Sequence, residues 1–419
     1  MLKLILGAFF SRFLTAVLNF GTIIMISRKL GPEGKGLSTI LLVTLVSVQM
    51  LCDFAGGAAL VYLSPRFRLR TLLVPVWIWN ALCSLGLMVF LMIESDHLMH
   101  PLALQAAALC FVNASFSQHV HVLNGRQKFN ITAGILLFQA LTTAGLLLLF
   151  LLDMPVIFDY FYALCISWGI SWAISLIALW NTRDTNLPAF SIKTDLRRLF
   201  KNGAANQTGH LLQFLNQRIF YLFLPVYTLG IFSNAVALGE AMWMIAGSIA
   251  TIQYGKIANM QERHEAALLT ARLFKATFWL TLAAVICVAL IPGKLYELIF
   301  GFAFSHVKES LVGLLPGVLF LSGYLIFGHY FSGTGRFSIN NYSIALGVIV
   351  TFAAFGIYHL VEHIKPNEII ASRITSLANM SIFISIFVRF QRDSGIPFKD
   401  LIPQFSDLGK IRFWLQKSI

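Results

Sequence analysis

The stretch that decides the fold is residues 11–50, "SRFLTAVLNFGTIIMISRKLGPEGKGLSTILLVTLVSVQM". Two long apolar runs flank a short segment that carries most of its charges and a Gly-Pro pair. An apolar run of about 20 residues crosses a hydrocarbon core about 30 Å thick as a single helix. The stretch therefore predicts two membrane-spanning helices joined by a tight polar turn.

The same pattern recurs along the chain of 419 residues. Only 12% of its residues are charged, against about 25% in soluble domains, and its mean hydropathy is +0.77. We expect an all-α polytopic membrane protein with about 12 transmembrane helices. The predicted spans are 4–26, 36–62, 71–94, 101–122, 131–152, 160–181, 203–226, 232–255, 273–292, 310–331, 340–360 and 367–388.

The longest predicted inside loop divides the chain into two halves of six spans each. We predict an N-terminal six-helix bundle at 1–181, a cytoplasmic linker at 182–202, a C-terminal six-helix bundle at 203–390 and a cytoplasmic basic amphipathic tail at 391–419. Because six is even, both halves start on the same side of the membrane, and a repeat that relates them is parallel. Such a repeat would match Gly125-Arg126 after span 4 with Gly335-Arg336 after span 10.

The net charge of +13 follows the predicted topology. With both termini in the cytoplasm, the inside segments hold 22 Lys and Arg and the outside loops hold six. This asymmetry is the positive-inside rule of multispanning proteins. The excess basic charge is thus explained without a nucleic-acid partner.

The candidate catalytic, cofactor and metal motifs do not fit the patterns that such sites require. "GPEGKGLST" at Gly31 lacks the glycine and hydroxyl positions of a phosphate-binding loop and does not follow a strand. His119 and His121 point to different faces of a helix. The five cysteines all lie inside predicted spans and show no ligand spacing. We therefore expect no enzyme activity, no cofactor and no metal.

The seventh span is the most polar one. Its sequence at 206–225, "NQTGHLLQFLNQRIFYLFLP", places Asn206, His210, Gln213 and Gln217 within about 60° of one another on a helix, with Arg218 beside them. Polar groups do not face lipid, where each unsatisfied one costs several kcal/mol. This stripe is expected to face protein or a water-filled cavity.

Further polar residues suggest a central cationic cavity between the halves. Arg12 and Asn19 lie at helical spacing in the first span, and Arg373 lies in the last. An arginine fits phosphate with two parallel donors, and amides suit sugar hydroxyls. The alternative is that the arginines reach toward an interface or pair with Asp53 or Glu240, the acids most nearly inside spans. Those two acids are also the candidates for ion coupling.

The first two spans resemble a known family. Arg28, Leu30, Gly31, Pro32, Glu33 and Gly36 fit the Arg-x-Leu-Gly-Pro-Glu-x-x-Gly loop of polysaccharide flippases, the O-antigen type (Wzx-like), in the multidrug/oligosaccharidyl-lipid/polysaccharide exporter superfamily. The Ser-Arg pair that ends at Arg12 is also similar to the lipid II flippase branch, where first-helix arginines line the cavity. The resemblance implies a MATE-like arrangement of six plus six helices.

It also implies the function. A flippase of this family moves an undecaprenyl-diphosphate-linked oligosaccharide across the bacterial cytoplasmic (inner) membrane by alternating access, beside a polysaccharide polymerase and a chain-length regulator. The substrate-binding candidates are then Arg12, Asn19, His210, Gln213, Gln217, Arg218 and Arg373. Two alternatives remain. An ion-coupled multidrug antiporter of the same superfamily would need more carboxylates in its cavity. A membrane-embedded polymerase would need a large outer loop with catalytic residues.

Overall fold

The computed structural model describes residues 2–94, 99–150, 156–181, 187–257, 260, 262–362 and 367–410. At 2–13, 58, 202, 205, 206, 255, 337, 361 and 362 the description covers the backbone alone. All regular elements within these ranges are helical, and nine segments are long and apolar enough to cross a membrane. The prediction of an all-α polytopic membrane protein is therefore confirmed.

The chain forms two compact units, Met1–Leu211 and Leu212–Ile419. The first holds α1 (Leu2–Cys52), α2 (Gly57–Leu63), α3 (Leu69–Ile93), α4 (Ala103–Gly125), α5 (Phe129–Phe150), α6 (Ile157–Trp180) and most of α7 (Ile192–Arg218). The second holds α8 (Val226–Ile257), α9 (Arg263–Leu290), α10 (Gly293–Phe300), α11 (Val307–Gly333), α12 (Phe337–Glu362), α13 (Glu368–Ser394) and α14 (Phe398–Leu401). The α4 and α7 helices occupy predicted spans 4 and 7 but are too polar to count among the nine apolar segments.

The turn predicted between the first two spans is a single kink. Helical structure runs from Leu2 to Cys52 except at Gly31, whose φ is 67° and ψ is −173°. Glycine adopts a positive φ without the steric cost of a Cβ. Pro32 then starts the next helical turn with its φ already set, and its missing N–H is one that needs no helical partner. The predicted outside loop around this position is therefore almost entirely helix.

The second predicted span, 36–62, is interrupted. The α1 helix ends at Cys52, a 3₁₀ turn covers Asp53–Ala55, and α2 begins only at Gly57. Gly56 has a φ of −135° and a ψ of −137°, which are not helical, and donates its N–H to the Asp53 carbonyl at 3.1 Å. The interruption frees backbone groups inside the first unit, and buried side chains must bind them.

The predicted linker at 182–202 contains helix from Ile192 onward. Leu199 is completely buried, in a cluster with Leu60, Leu63 and Phe190. Phe200 packs edge-on against Trp79, with 5.2 Å between the ring centroids. The first part of α7 is thus packed into the core of the first unit, since its apolar side chains recur at helical spacing and find a partner surface there.

Matching turns follow α4 and α11. After α4, Gln127 has a φ of 59°, and the N–H of Lys128 reaches the Leu123 carbonyl at 2.9 Å. After α11, Gly335 has a φ of 79°, and the N–H of Arg336 reaches the Phe331 carbonyl at 2.8 Å. Both are Schellman C-caps, in which a left-handed residue closes the helix. The caps match Lys128 with Arg336, two residues away from the alignment expected from the sequence.

The C-terminal segment up to Lys410 is docked on the second unit. Asp407 is buried and pairs with Lys275 of α9 at 3.3 Å. Phe405 contacts Trp279 of the same helix, with ring centroids 5.1 Å apart. The predicted amphipathic tail at 391–419 is therefore packed over its first part, and residues 411–419 lie outside the described residues.

Candidate functional site

The polar helix α7 ends at Arg218, the charged residue of the predicted seventh span. The α-helix ends at Arg218, and a 3₁₀ turn over Ile219–Leu222 follows. Pro225 comes just after, and a proline disfavours helical angles at the residue before it. The turn is held by buried aromatic rings, Phe220 and Tyr221, which both pack edge-on against Phe232 of α8. These contacts fix the position of the Arg218 side chain.

Arg218 lies in a compact polar cluster of the second unit. Its Nη2 atom is 2.5 Å from Oε1 of Glu240, and its Nη1 atom donates to the Tyr221 hydroxyl at 2.5 Å. The Arg218 and Glu240 side chains keep 22% and 32% of their exposure. The structure thus brings together two predicted site residues as charge partners, and the cluster carries no net charge.

Buried amides adjoin this cluster. Asn216 donates through Nδ2 to Oδ1 of Asn379, on α13, at 3.1 Å. Within the described chain, Oδ1 of Asn216 and Nε2 of Gln217 are buried and have no hydrogen-bond partner. Asn379 was not among the predicted site residues, although its amide in the middle of an apolar span was a usable signal.

The remaining members of the predicted stripe differ in exposure. His210 is exposed, and the Gln213 side chain is partly buried. The side chain of Asn206 lies outside the described residues. Along α7 the stripe therefore changes from an accessible part at His210 to a partly buried part at Gln217.

Arg373 does not join the Arg218 cluster. It is exposed near the start of α13, while its hydroxyl neighbours are used in helix packing. Ser376 donates to the Gly313 carbonyl at 2.6 Å, and Ser372 bonds Ser310 at 2.8 Å. These hydroxyls hold α13 close to α11 instead of lining a polar surface.

In the first unit, Asn19 is exposed on α1. The side chain of Arg12 lies outside the described residues, so its predicted place beside Asn19 stays a prediction.

Asp53 stands at the interruption between α1 and α2. Its Oδ1 atom is buried and has no hydrogen-bond partner within the described chain. Close by, Gln118 of α4 exchanges two hydrogen bonds with Asn80 of α3, at 2.6 and 2.9 Å, and reaches the freed carbonyl of Cys52 at 3.4 Å. Gln118 thus satisfies the carbonyl that the broken helix frees, and Asn80 holds Gln118 in place; neither residue was predicted as a partner of this interruption.

The two charged positions can therefore do different chemistry. Arg218 can exchange Glu240 for an anionic ligand, because a guanidinium binds carboxylate and phosphate with the same donors. Asp53 can take up and release a proton or a cation, because a buried carboxylate oxygen without a hydrogen-bond partner makes the charged form costly. Among the described residues no group of three or more His, Cys, Asp and Glu could hold a metal ion.

Comparisons with known proteins support the fold. The chain matches no protein-family model and no curated protein. It is similar to an inward-facing multidrug resistance MATE family transporter of the MOP superfamily, with a TM-score of 0.73, 13% identity, and coverage of 91% of this chain and 94% of the other. It is also similar to the lipid II flippase MurJ in an inward closed conformation, with a TM-score of 0.71, 12% identity, and coverage of 100% and 93%.

A third solved structure, a MOP superfamily transporter from Pyrococcus furiosus described as having a binding pocket of reversed polarity, matches with a TM-score of 0.63 and 14% identity over 94% of this chain and 95% of the other. At identities this low, the structural similarity shows a shared fold and nothing more specific. The predicted MATE-like, two-bundle class is thereby confirmed.

Proposed function

We propose that the chain is a flippase that moves an undecaprenyl-diphosphate-linked oligosaccharide across the bacterial cytoplasmic membrane by alternating access. The observation that carries the proposal is the polar face of α7 in a chain of otherwise apolar spans. Along this face follow His210, Gln213, Gln217 and Arg218. Amides and histidine suit the hydroxyls of a sugar, and Arg218 suits a phosphate. The fold shared with a lipid II flippase supports the proposal.

The proposed substrate contacts fall into two groups. Arg218 leaves Glu240 for the diphosphate or for an acidic sugar, while Gln217 and Gln213 bind hydroxyl groups. Arg12, Asn19 and Arg373 are proposed as further contacts at other stages of the cycle. A polysaccharide polymerase and a chain-length regulator are the proposed partners, because they would use the translocated oligosaccharide.

The test is lipid transfer in proteoliposomes. Fluorescent undecaprenyl-diphosphate disaccharide is placed in both leaflets, and a membrane-impermeant quencher reports the fraction that moves outward. We expect faster transfer than in protein-free vesicles and no concentrative uptake of ethidium. Ethidium uptake without any transfer of the carrier lipid would contradict the proposal.

A second function, ion-coupled antiport of organic cations, is favoured by one observation, the buried Oδ1 of Asp53 without a partner. A lone carboxylate could bind a proton and an organic cation in turn. The ethidium arm of the same experiment separates the two functions. Under the flippase proposal, Asp53 acts only in coupling.

The coupling prediction is that Asp53→Asn keeps the fold but makes lipid transfer independent of an imposed pH or sodium gradient. The amide has the same shape and cannot be deprotonated, so the gradient-driven part of the rate should fall by about tenfold or more. The matched control is Asp400→Asn, an exposed carboxylate on α14, which should change nothing. If Asp53→Asn still responds to the gradient, Asp53 has no coupling role.

The topology prediction places both termini in the cytoplasm and the kink after Gly31 outside, from the distribution of Lys and Arg. In a protein without its native cysteines, Glu33→Cys should react with an impermeant maleimide in intact cells. Lys193→Cys should react only after the cells are permeabilised. Both positions are exposed, so access depends on the side of the membrane. The opposite pattern of labelling would reverse the assignment.

A further inference from the structure

A groove lies along α12 and α13 in the second unit, apart from the Arg218 cluster. The two helices are joined by a hydrogen bond between Ser343 and Ser385, at 3.1 Å. Beside this contact the groove has a volume of about 400 Å³. Its walls are apolar at Leu346, Ile384 and Val388, all three of which are exposed. Walls of this kind are able to pack against a lipid chain.

Two arginines, Arg389 and Arg392, line one end of the groove. On α13, Ser381, Ser385, Val388 and Arg392 recur at intervals of three and four residues and share one face, with Arg389 beside them. From Ser381 to Arg392 the helix rises about 16 Å. That is close to half of a hydrocarbon core of about 30 Å, the depth of one leaflet. The arginines lie at the end of the helix, where a headgroup would be.

The charges of both arginines are uncompensated. The ion pairs of the described residues include neither Arg389 nor Arg392. The nearest acid in sequence, Asp393, is already bound: it accepts both Nη atoms of Arg336 and the Tyr330 hydroxyl. The hydrogen bond from Arg336 to Asp393 raises the pKa of the Arg336 guanidinium, so Arg336 stays charged and occupies Asp393.

The Arg389 guanidinium lies over the Tyr342 ring of α12, 5.6 Å from its centroid. This contact orients the side chain and leaves its N–H donors available. Arg392 is exposed beside it. Two such donors next to an apolar channel are the pattern by which basic pockets between membrane helices bind anionic lipid headgroups.

We propose that this groove binds one anionic glycerophospholipid from the leaflet in which α13 ends, with its phosphate on Arg389 and Arg392 and an acyl chain along Leu346, Ile384 and Val388. An acyl chain runs from its headgroup toward the middle of the bilayer, and the groove extends from its two arginines along α13 in the same way. A polyprenyl chain of 55 carbons is much longer than the groove. The proposal is independent of the transported substrate.

The first test is native mass spectrometry of the purified full chain with phosphatidylglycerol. We expect one tightly bound copy, and binding of zwitterionic phosphatidylcholine at least tenfold weaker. Arg389→Gln with Arg392→Gln should lower the phosphatidylglycerol affinity by about tenfold or more, since each arginine makes a charge-assisted contact. Lys399→Gln removes one positive charge from an exposed residue of α14 outside the groove and should leave the affinity unchanged.

The second test locates the lipid and does not depend on the stability of the arginine variants. A photoreactive amino acid replaces Val388 in the groove or Ile357, which is 63% exposed near the other end of α12. Phosphatidylglycerol should crosslink at 388 in clear excess over 357. Equal crosslinking, or equal affinity for the two phospholipids, would overturn the proposal. Displacement of the lipid by undecaprenyl phosphate would do so too, because the groove would then belong to the carrier.

Discussion

The variants Arg218→Gln and Glu240→Gln are each expected to lower the amount of folded protein several-fold, whereas the double variant restores it. Removing one partner of a buried ion pair leaves an uncompensated charge and costs roughly 3–5 kcal/mol. With 22% and 32% of the side chains exposed, the cost should fall at the lower end of that range. Two neutral amides leave no charge behind, so the double variant should fold.

Lipid transfer by these variants distinguishes a structural role of Arg218 from a role in substrate binding. At equal amounts of folded protein, the double variant should still transfer the carrier lipid at least tenfold more slowly. The reason is that the proposed contact between Arg218 and phosphate, worth about 1.5–3 kcal/mol, is lost. Folded protein is measured by fluorescence-detected size exclusion and transfer by the proteoliposome assay.

The control is Glu309→Gln, which breaks the His306–Glu309 pair, where both side chains are 57% exposed. Exposed pairs contribute at most about 1 kcal/mol, so folding and transport should hardly change. Wild-type transport by the double variant would leave Arg218 as a structural charge partner only.

The substitution Gly203→Ala is expected to prevent normal folding of the first unit or to lower its Tm by many degrees. A Cβ at position 203 would lie 2.1 Å from the carbonyl oxygen of Phe54 and 2.9 Å from its carbonyl carbon. Backbone atoms in the interruption after Asp53 cannot move aside as a flexible side chain could. Overpacking costs about 1–3 kcal/mol and occasionally more, and this contact belongs at the upper end.

The matched control is Gly86→Ala in α3, where a Cβ meets nothing within 4 Å. Alanine favours a helix over glycine by about 1 kcal/mol, so this variant should be as stable as the native protein or more so. Thermal unfolding of the purified proteins in one detergent measures both. Equal Tm values for Gly203→Ala and the native protein would show that α7 does not need its close approach to Phe54.

Much of the fold could be predicted because hydropathy is a local property. Each apolar run predicts a span, and the backbone preferences of Gly31 and Pro32 mark the kink between the first two. Even the polar character of α7 was legible, since its amides and His210 stand out in an apolar chain. The start of α7 lies in the predicted linker, because its helical spacing of apolar residues is short and Leu199 is buried by residues far away in the sequence.

Long-range partners set the rest. The interruption after Cys52 depends on Gln118, which binds the free carbonyl from α4, and on Asn80 of α3, which binds Gln118. The pairing of Arg218 with Glu240 was one of two alternatives, and only the positions of α7 and α8 decide between them. The proposed substrate contacts remain predictions, because a polar face does not identify what it binds.

The neutrality of the Arg218–Glu240 pair has an electrical consequence. Moving one elementary charge through a potential of 100 mV involves about 2.3 kcal/mol, but a closed ion pair moves none. If the pair opens to an anionic headgroup, as proposed above, the arginine pairs with the cargo and leaves the Glu240 carboxylate unpaired, so the loaded site carries the charge of the cargo. The membrane potential would then act on the loaded and empty carriers to different extents. Any current measured during turnover would thus arise from ions exchanged at Asp53 or from phosphate charge left unbalanced.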